Sequence, residues 1–275
     1  MVLSSEQLEE RRRELELELE EPITLDGLTS AWSIFQRKKG HRHSTDDLLT
    51  GWYALEKSPL VPRAIERHLD LGTGIGTVGL LVLSGLPSTT RLTCIEAQDV
   101  SFRFLRENLR ANGVEDRVTA LHGDLRDLAL DERFPLVTGS PPYFDVASGI
   151  VPTDSQKAHA RFELRGDVSD YARVAKRHLE PDGLFVFCFP YAQKLRALAA
   201  VRSEGFTVLT HRDVVPREGL APLFSLFSCR IRNDLTTNEN EAEEEEAPFV
   251  VRHAGGRHTT MMDEVRARFG WTPTQ

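Results

Sequence analysis

Cysteine is scarce: the 275 residues contain three. Cys94, Cys188 and Cys229 lie far apart, two of them inside apolar strand-like runs, and none has metal-ligand spacing. A disulfide framework and a zinc site are thereby excluded, and free thiols fit a reducing compartment. Long apolar runs are missing too, since nothing approaches the roughly 20 residues that cross a bilayer. Residues 1–21 are acidic and show no basic stretch leading into an apolar one, so no secretory signal and a cytoplasmic location are expected. No internal repeat is visible.

Positive charge is in deficit, the formal net charge being −8, but the deficit is uneven. Segment 1–21 sets eight acids against Arg11, Arg12 and Arg13, while 234–247 carries seven acids and no base. The rest stands at about +4, mildly basic, which leaves a nucleic-acid partner open. These shifts divide the chain. Residues 1–21 form an acidic extension, expected to be loosely attached: Ser4–Arg13 suits an exposed helix capped by Ser5, and Glu14–Glu20 alternates Glu and Leu like a strand. Residues 22–65 make an N-terminal cap region, apolar at Ile23, Leu25, Leu28, Trp32, Ile34 and Phe35, then basic from Gln36 to Arg42. The main domain spans 66–233, an acidic insertion expected to be disordered spans 234–247, and 248–275 returns with a strand at Phe249–Arg252 and a helix at Met261–Phe269.

Within the main domain short apolar runs alternate with longer helical patterns, the mark of a parallel sheet covered on both faces. Strands are expected at Glu66–Leu71, Arg91–Glu96, Val118–His122, Leu136–Ser140, Gly183–Phe189, Phe206–Asp213 and Leu223–Arg232. Helices are expected at Thr77–Leu83, Val100–Asn112, Val168–Leu179 and Gln193–Glu204. The loop Val214–Pro222 is too short for a covering helix, so the last two strands should form an antiparallel hairpin at one sheet edge.

Asp70-Leu71-Gly72-Thr73-Gly74-Ile75-Gly76 follows an apolar strand and opens a helix, the place where open α/β sheets bind ligands. Glycine lets the backbone approach a ligand closely. The run Gly74-x-Gly76-x-x-Gly79 also matches a dinucleotide fingerprint, with Glu96 as its ribose acid. Asp70 argues against that reading: a carboxylate at the strand end repels a pyrophosphate but suits the ammonium of an amino-acid moiety. Glu96, ending the next strand, can accept both hydrogen bonds of a ribose diol.

Gly139-Ser140-Pro141-Pro142-Tyr143-Phe144 ends the fourth strand. Two prolines cannot continue a strand, and they fix the backbone so that preceding carbonyls project into the cleft. An amino group conjugated to a ring is a poor nucleophile because its lone pair is delocalised. Acceptors at both of its N–H bonds favour a tetrahedral nitrogen whose lone pair faces an electrophilic carbon in line, while an aromatic side chain stacks on the ring. Ser140 Oγ and the Pro141 carbonyl are the candidate acceptors, with Pro142 setting the turn and Tyr143 stacking.

The glycine loop resembles motif one of the class I S-adenosylmethionine-dependent methyltransferases, and the proline run resembles motif four of their amino-directed members. The resemblance implies a Rossmann-like α/β fold with a seven-stranded sheet ordered three, two, one, four, five, seven, six and closed by a terminal antiparallel hairpin. It implies S-adenosyl-L-methionine as cofactor, held by Asp70, Gly72, Gly74, Gly76, Glu96, Asp124, Leu125 and Ser140. Asp124 has a second reading as the cap of the following turn. Gln36-Arg37-Lys38-Lys39-Gly40-His41-Arg42-His43-Ser44-Thr45-Asp46-Asp47-Leu48-Leu49 is similar to a pattern in the bacterial family that methylates adenine 37 of a valine tRNA. Thr45 and Asp46 would then sit at the cofactor lip, or else cap a helix. That likeness implies RNA, with tRNA foremost, as substrate; Arg37, Lys38, Lys39, Arg42 and Arg161 would meet phosphates, and Phe35 and Phe144 would contact the target. Two departures stand out: motif four carries Ser140 where that family has Asn, and the acidic insertion precedes Phe249. Two other readings stay open, methylation of a protein glutamine amide and a binding module that has lost catalysis. No membrane partner is expected.

Overall fold

The computed structural model describes residues 2–143, 156, 166–232 and 243–272. Its main sheet has the spatial order β10-β8-β9-β7-β6-β3-β4-β5. These strands are β3 (Arg67–Leu71), β4 (Arg91–Glu96), β5 (Val118–His122), β6 (Phe134–Gly139), β7 (Leu179–Pro190), β8 (Phe206–Val215), β9 (Phe224–Ile231) and β10 (Glu244–Val250). All pairs are parallel except the two made by β9, so the class I order is present with an eighth strand added outside β8. Among the described residues no helix is long and apolar enough to cross a membrane.

Side-chain alternation explains why both faces are covered. Along β7, Leu184, Val186 and Cys188 enter one apolar cluster while Phe185, Phe187 and Phe189 enter the other. A strand buried on both faces reads as a continuous apolar run, which is how parallel sheets look in sequence. The first face is covered by α2 (Thr45–Lys57), α3 (Thr77–Gly85) and α4 (Asp99–Ala111), the second by α5 (Val168–His178) and α6 (Lys194–Ser203). A separate hairpin, β1 (Ile23–Gly27) with β2 (Ser33–Arg37), lies over α4. Asn108 ties it down: its side chain accepts from Phe35 N (2.7 Å) and donates to the Phe35 and Ile75 carbonyls (3.3 and 2.9 Å), linking the hairpin to the glycine loop.

Three expectations fail here. Residues 1–21 are not loosely attached, because Ser5–Leu19 is a helix, α1, capped by Ser4 rather than Ser5 through a reciprocal box with Gln7. Leu8 and Leu15 are buried, and Arg11 on the same face makes a two-pronged bond to Glu107 of α4 (3.1 and 2.9 Å). The helical spacing of 8, 11 and 15 thus prevails over the strand-like alternation of Glu14–Glu20. Second, the described end of the acidic insertion is not a disordered excursion: Glu244–Val250 forms β10, parallel to β8, while 234–242 lie outside the described residues. Cations from distant segments hold it, with Lys57 paired to Glu246, Lys194 to Glu245 (2.9 Å) and Arg202 to Glu243. Third, the β8–β9 hairpin is antiparallel as expected but is not the sheet edge, since β10 covers it. The C-terminal helix, α7 (Thr260–Arg268), falls within a residue of its expected place.

Candidate active site

The carboxyl ends of β3, β4 and β6 surround one pocket. At its floor Asp70 is buried and fully engaged: Oδ1 accepts from Thr138 (2.6 Å), and Oδ2 accepts from Thr73 (2.5 Å) and the Gly79 amide (3.0 Å). Burial pushes its carboxyl above the usual range despite those donors. His68 completes the line, its Nε2 lying 2.7 Å from Thr138 Oγ1. Thr138 donates to Asp70, so His68 donates to Thr138 and carries its proton on Nε2. Asp70 therefore braces the loop from within while still lining the pocket.

The loop itself turns through positive φ at Gly72 (59°) and Gly74 (61°). A Cβ on Gly72 would run into the Tyr171 hydroxyl, whereas one on Gly74 would meet nothing within 4 Å. The first glycine is demanded by packing and the second leaves room for a ligand. Glu96 orients the loop, accepting from the amides of Gly74 (2.8 Å) and Gln98 (2.7 Å). Asp124 realises its capping alternative, bonding Arg126 N (3.0 Å) and pairing with the Arg126 guanidinium (2.7 Å), yet it also lines the pocket beside Leu125.

The wall over the loop comes from residues not singled out by sequence. His41, His43 and Asp47 line it, while Thr45 is exposed in the first turn of α2. Asp47 is the third residue of that helix, where a carboxylate reaches back to the Ser44 amide (3.0 Å) and also faces inward. Burial raises its carboxyl well above the ordinary range, reinforced by Asp46 and Asp70. The His43 imidazole is pushed down by burial, against the pull of Asp26 and Asp46. The helix period of Asp47 against the apolar Leu48 and Leu49 is the signal that would have found it. Gln156 and Tyr171 also line the pocket.

Ser140 and Pro142 open into the same space, with Ser140 Oγ 3.6 Å from Cys188 Sγ. Burial pushes the Cys188 thiol up to about 12, so it stays protonated. The Tyr143 carbonyl accepts from Gln193 (2.8 Å), which fixes the turn after Pro141 and Pro142. The substrate-facing set fares differently. Phe35 is fully buried and offers no face to a partner, because the β1–β2 hairpin packs it against α4. Arg37 is paired with Glu21 (2.6 Å) and Arg42 with Asp26 (3.1 Å); Lys38 and Lys39 are exposed. Phe144 and Arg161 lie outside the described residues.

Among the described residues no lysine or arginine lines the pocket, whereas Asp47, Asp70, Glu96 and Asp124 do. That set disfavours a pyrophosphate and fits a ligand carrying a sulfonium and an ammonium. Open space at Gly74 and an acceptor pair at Glu96 fit a nucleoside beside them. With this sheet order, the pocket is that of a Rossmann-like, S-adenosylmethionine-dependent methyltransferase. A family model, the methyltransferase small domain, matches residues 54–198, and the chain belongs to that family. A tRNA1(Val) (adenine(37)-N6)-methyltransferase of Actinobacillus pleuropneumoniae is 25% identical over 203 residues, covering 73% of this chain and 80% of that protein. One from Mannheimia succiniciproducens is 27% identical over 215 residues, covering 75% and 84%. Among solved structures, Agrobacterium tumefaciens Atu636, described as a predicted O-methyltransferase, superposes with a TM-score of 0.58 at 21% identity, over 81% of this chain and 99% of that one. The last likeness bears on fold alone.

Proposed function

We propose that this enzyme methylates the exocyclic amino group of an adenine in tRNA, in the cytoplasm. One observation carries the reading: Ser140 and Pro142 of the Ser-Pro-Pro-Tyr turn open into the same pocket as the glycine loop and Glu96. The names of the tRNA-modifying relatives support the same substrate class. S-adenosylmethionine, when bound, would supply a methyl that is electrophilic because its bond to the sulfonium breaks with the electron pair left on sulfur, as a neutral thioether.

Glu96, which accepts from the Gly74 and Gln98 amides, would take the ribose diol. Asp124 and Leu125, which line the pocket, would hold the adenine of the cofactor. Asp47, with one oxygen engaged by the Ser44 amide, would hold the ammonium end, while Asp70 fixes the glycine loop. On the substrate side Ser140 Oγ and the Pro141 carbonyl accept the two N–H bonds of the target amine, which turns its lone pair toward the methyl. Tyr143 stacks on the base. After transfer the amine carries an extra proton and releases it to water, so no dedicated base is required. Lys38 and Lys39 are the members of the early basic stretch open to phosphate.

Nucleoside mass spectrometry of tRNA from cells with and without the gene tests this. Loss of one N6-methyladenosine from tRNA is expected. Unchanged RNA together with loss of a methylated glutamine in a protein would replace the RNA reading with the protein one.

A further inference from the structure

The half of the carboxyl edge away from the glycine loop takes no part in the pocket, yet it is continuous with Tyr143. Gln193 donates to the Tyr143 carbonyl (2.8 Å), and the neighbouring Tyr191 amide donates to the Leu223 carbonyl (3.1 Å). The loop ending at Leu223 is tied in turn to the chain after β10: Glu218 N donates to Arg252 O (2.8 Å), and Ala254 N donates to Glu218 Oε2 (3.2 Å). Three turns, at 191–193, 216–223 and 251–258, thus make one ridge that starts at the Ser-Pro-Pro-Tyr turn.

Its surface stands out among the described residues. Tyr191, Leu220 and Leu223 are 39%, 57% and 63% exposed and Leu195, beside the ridge on α6, is 80% exposed, together four of the seven large apolar side chains exposed among the described residues. Arg217 shares the β8–β9 loop with Leu220 and Leu223, and Arg252 and Arg257 follow β10 at the far end of the ridge; all three are exposed. Arg252 spends one nitrogen on the Gly256 carbonyl (2.8 Å), and none of the three arginines forms an ion pair among the described residues. The acid on the ridge, Glu218, faces His253 (3.6 Å) instead. Lys194 beside Tyr191 is neutralised by Asp213 and Glu245, so the arginines carry the uncompensated charge. By contrast, Arg37 and Arg42 of the early basic stretch are both paired to acids. Unpaired arginines on the same edge as an exposed aromatic ring and apolar side chains suit a phosphate backbone with unstacked bases.

We propose that this ridge is the RNA-docking surface, with Arg217, Arg252 and Arg257 on phosphates and Tyr191 stacked on a base near the target. The proposal rests on the RNA reading above and adds where the RNA lies: along the β7–β9–β8–β10 half of the carboxyl edge.

The test is binding of a total tRNA pool by the full chain across about 50–250 mM salt. It compares wild type with the triple Arg217→Ala, Arg252→Ala, Arg257→Ala variant and with Tyr191→Ala. Arg63→Ala serves as control, since Arg63 pairs with Glu180 and Asp182 at the opposite edge. The triple variant is expected to bind on the order of 10–100-fold more weakly, with a log–log salt slope smaller by about 2–3, while Arg63→Ala matches wild type. Tyr191→Ala should weaken binding with the slope unchanged. Calorimetry with S-adenosylmethionine should give wild-type affinity for every variant, showing an intact pocket. A triple variant with wild-type tRNA affinity and slope overturns the ridge and leaves the RNA reading standing. A wild type that binds no tRNA at low salt overturns both.

Discussion

Replacing Asp47 by asparagine should move two quantities in opposite directions. Its carboxyl is raised in the folded chain, so folding holds a proton that the unfolded chain gives up; that costs stability as pH rises from the ordinary carboxylate range through the raised value. Asp47→Asn is therefore expected to raise the Tm of the cofactor-free protein at neutral pH. The same change should lower S-adenosylmethionine affinity by roughly tenfold, the order for losing one partly screened charge contact. Paired thermal melts and calorimetry check this, and a variant with lower Tm and full affinity would remove Asp47 from the site. Ser140 gives a second expectation. Ser140→Ala should cut turnover on RNA by about 10–1000-fold with cofactor affinity kept, as for one positioned polar contact in a transition state. Ser140→Asn should retain activity. Wild-type turnover in Ser140→Ala would assign orientation of the amine to the Pro141 carbonyl alone.

At the scale of elements, the acidic strand changes what a deletion does. Excising 234–247 would be harmless if that run were a flexible loop, but it removes Glu244–Ala247 from β10 and three cation pairs with it. A clear fall in Tm is expected by calorimetry; an unchanged melt would mean that β10 contributes no stability. Strands β4 and β5 were legible to the residue because short apolar runs there end at Glu96 and His122, where the carboxyl edge begins. The glycine loop and proline turn were legible for a related reason: backbone needs, not tertiary contacts, dictate those residue types. What stayed hidden depends on partners far along the chain. Nothing near Glu244–Glu246 announces Lys57 or Lys194, and nothing near Phe35 announces the Asn108 side chain that closes the hairpin over it. Asp47 was missed because Thr45 and Asp46 fit the family pattern, and which of three adjacent side chains faces inward is set by helix phase.

For the whole molecule, the buried His68 ties stability to acid. Burial alone pulls its pKa to about 3 from 6.5. As pH falls below about 6.5 the unfolded chain takes up a proton that the folded chain refuses until near 3, so stability drops across that window. His68→Gln, which keeps a donor for Thr138, should flatten denaturant-derived stability between those limits; an unchanged slope would place the acid sensitivity elsewhere. The eighth strand has a consequence at this scale too. An open strand edge templates pairing with another chain, and charge or proline along it blocks that pairing. β10 presents Glu244, Glu245 and Pro248 on the outermost strand, exposed to solvent. Glu244→Gln with Pro248→Val, which spares the Lys194–Glu245 pair, should leave the fold in place but convert the sheet into a template for fibrils or precipitates, visible by light scattering. Such aggregation would mean that the charge along β10 keeps each copy of the protein from growing onto the next.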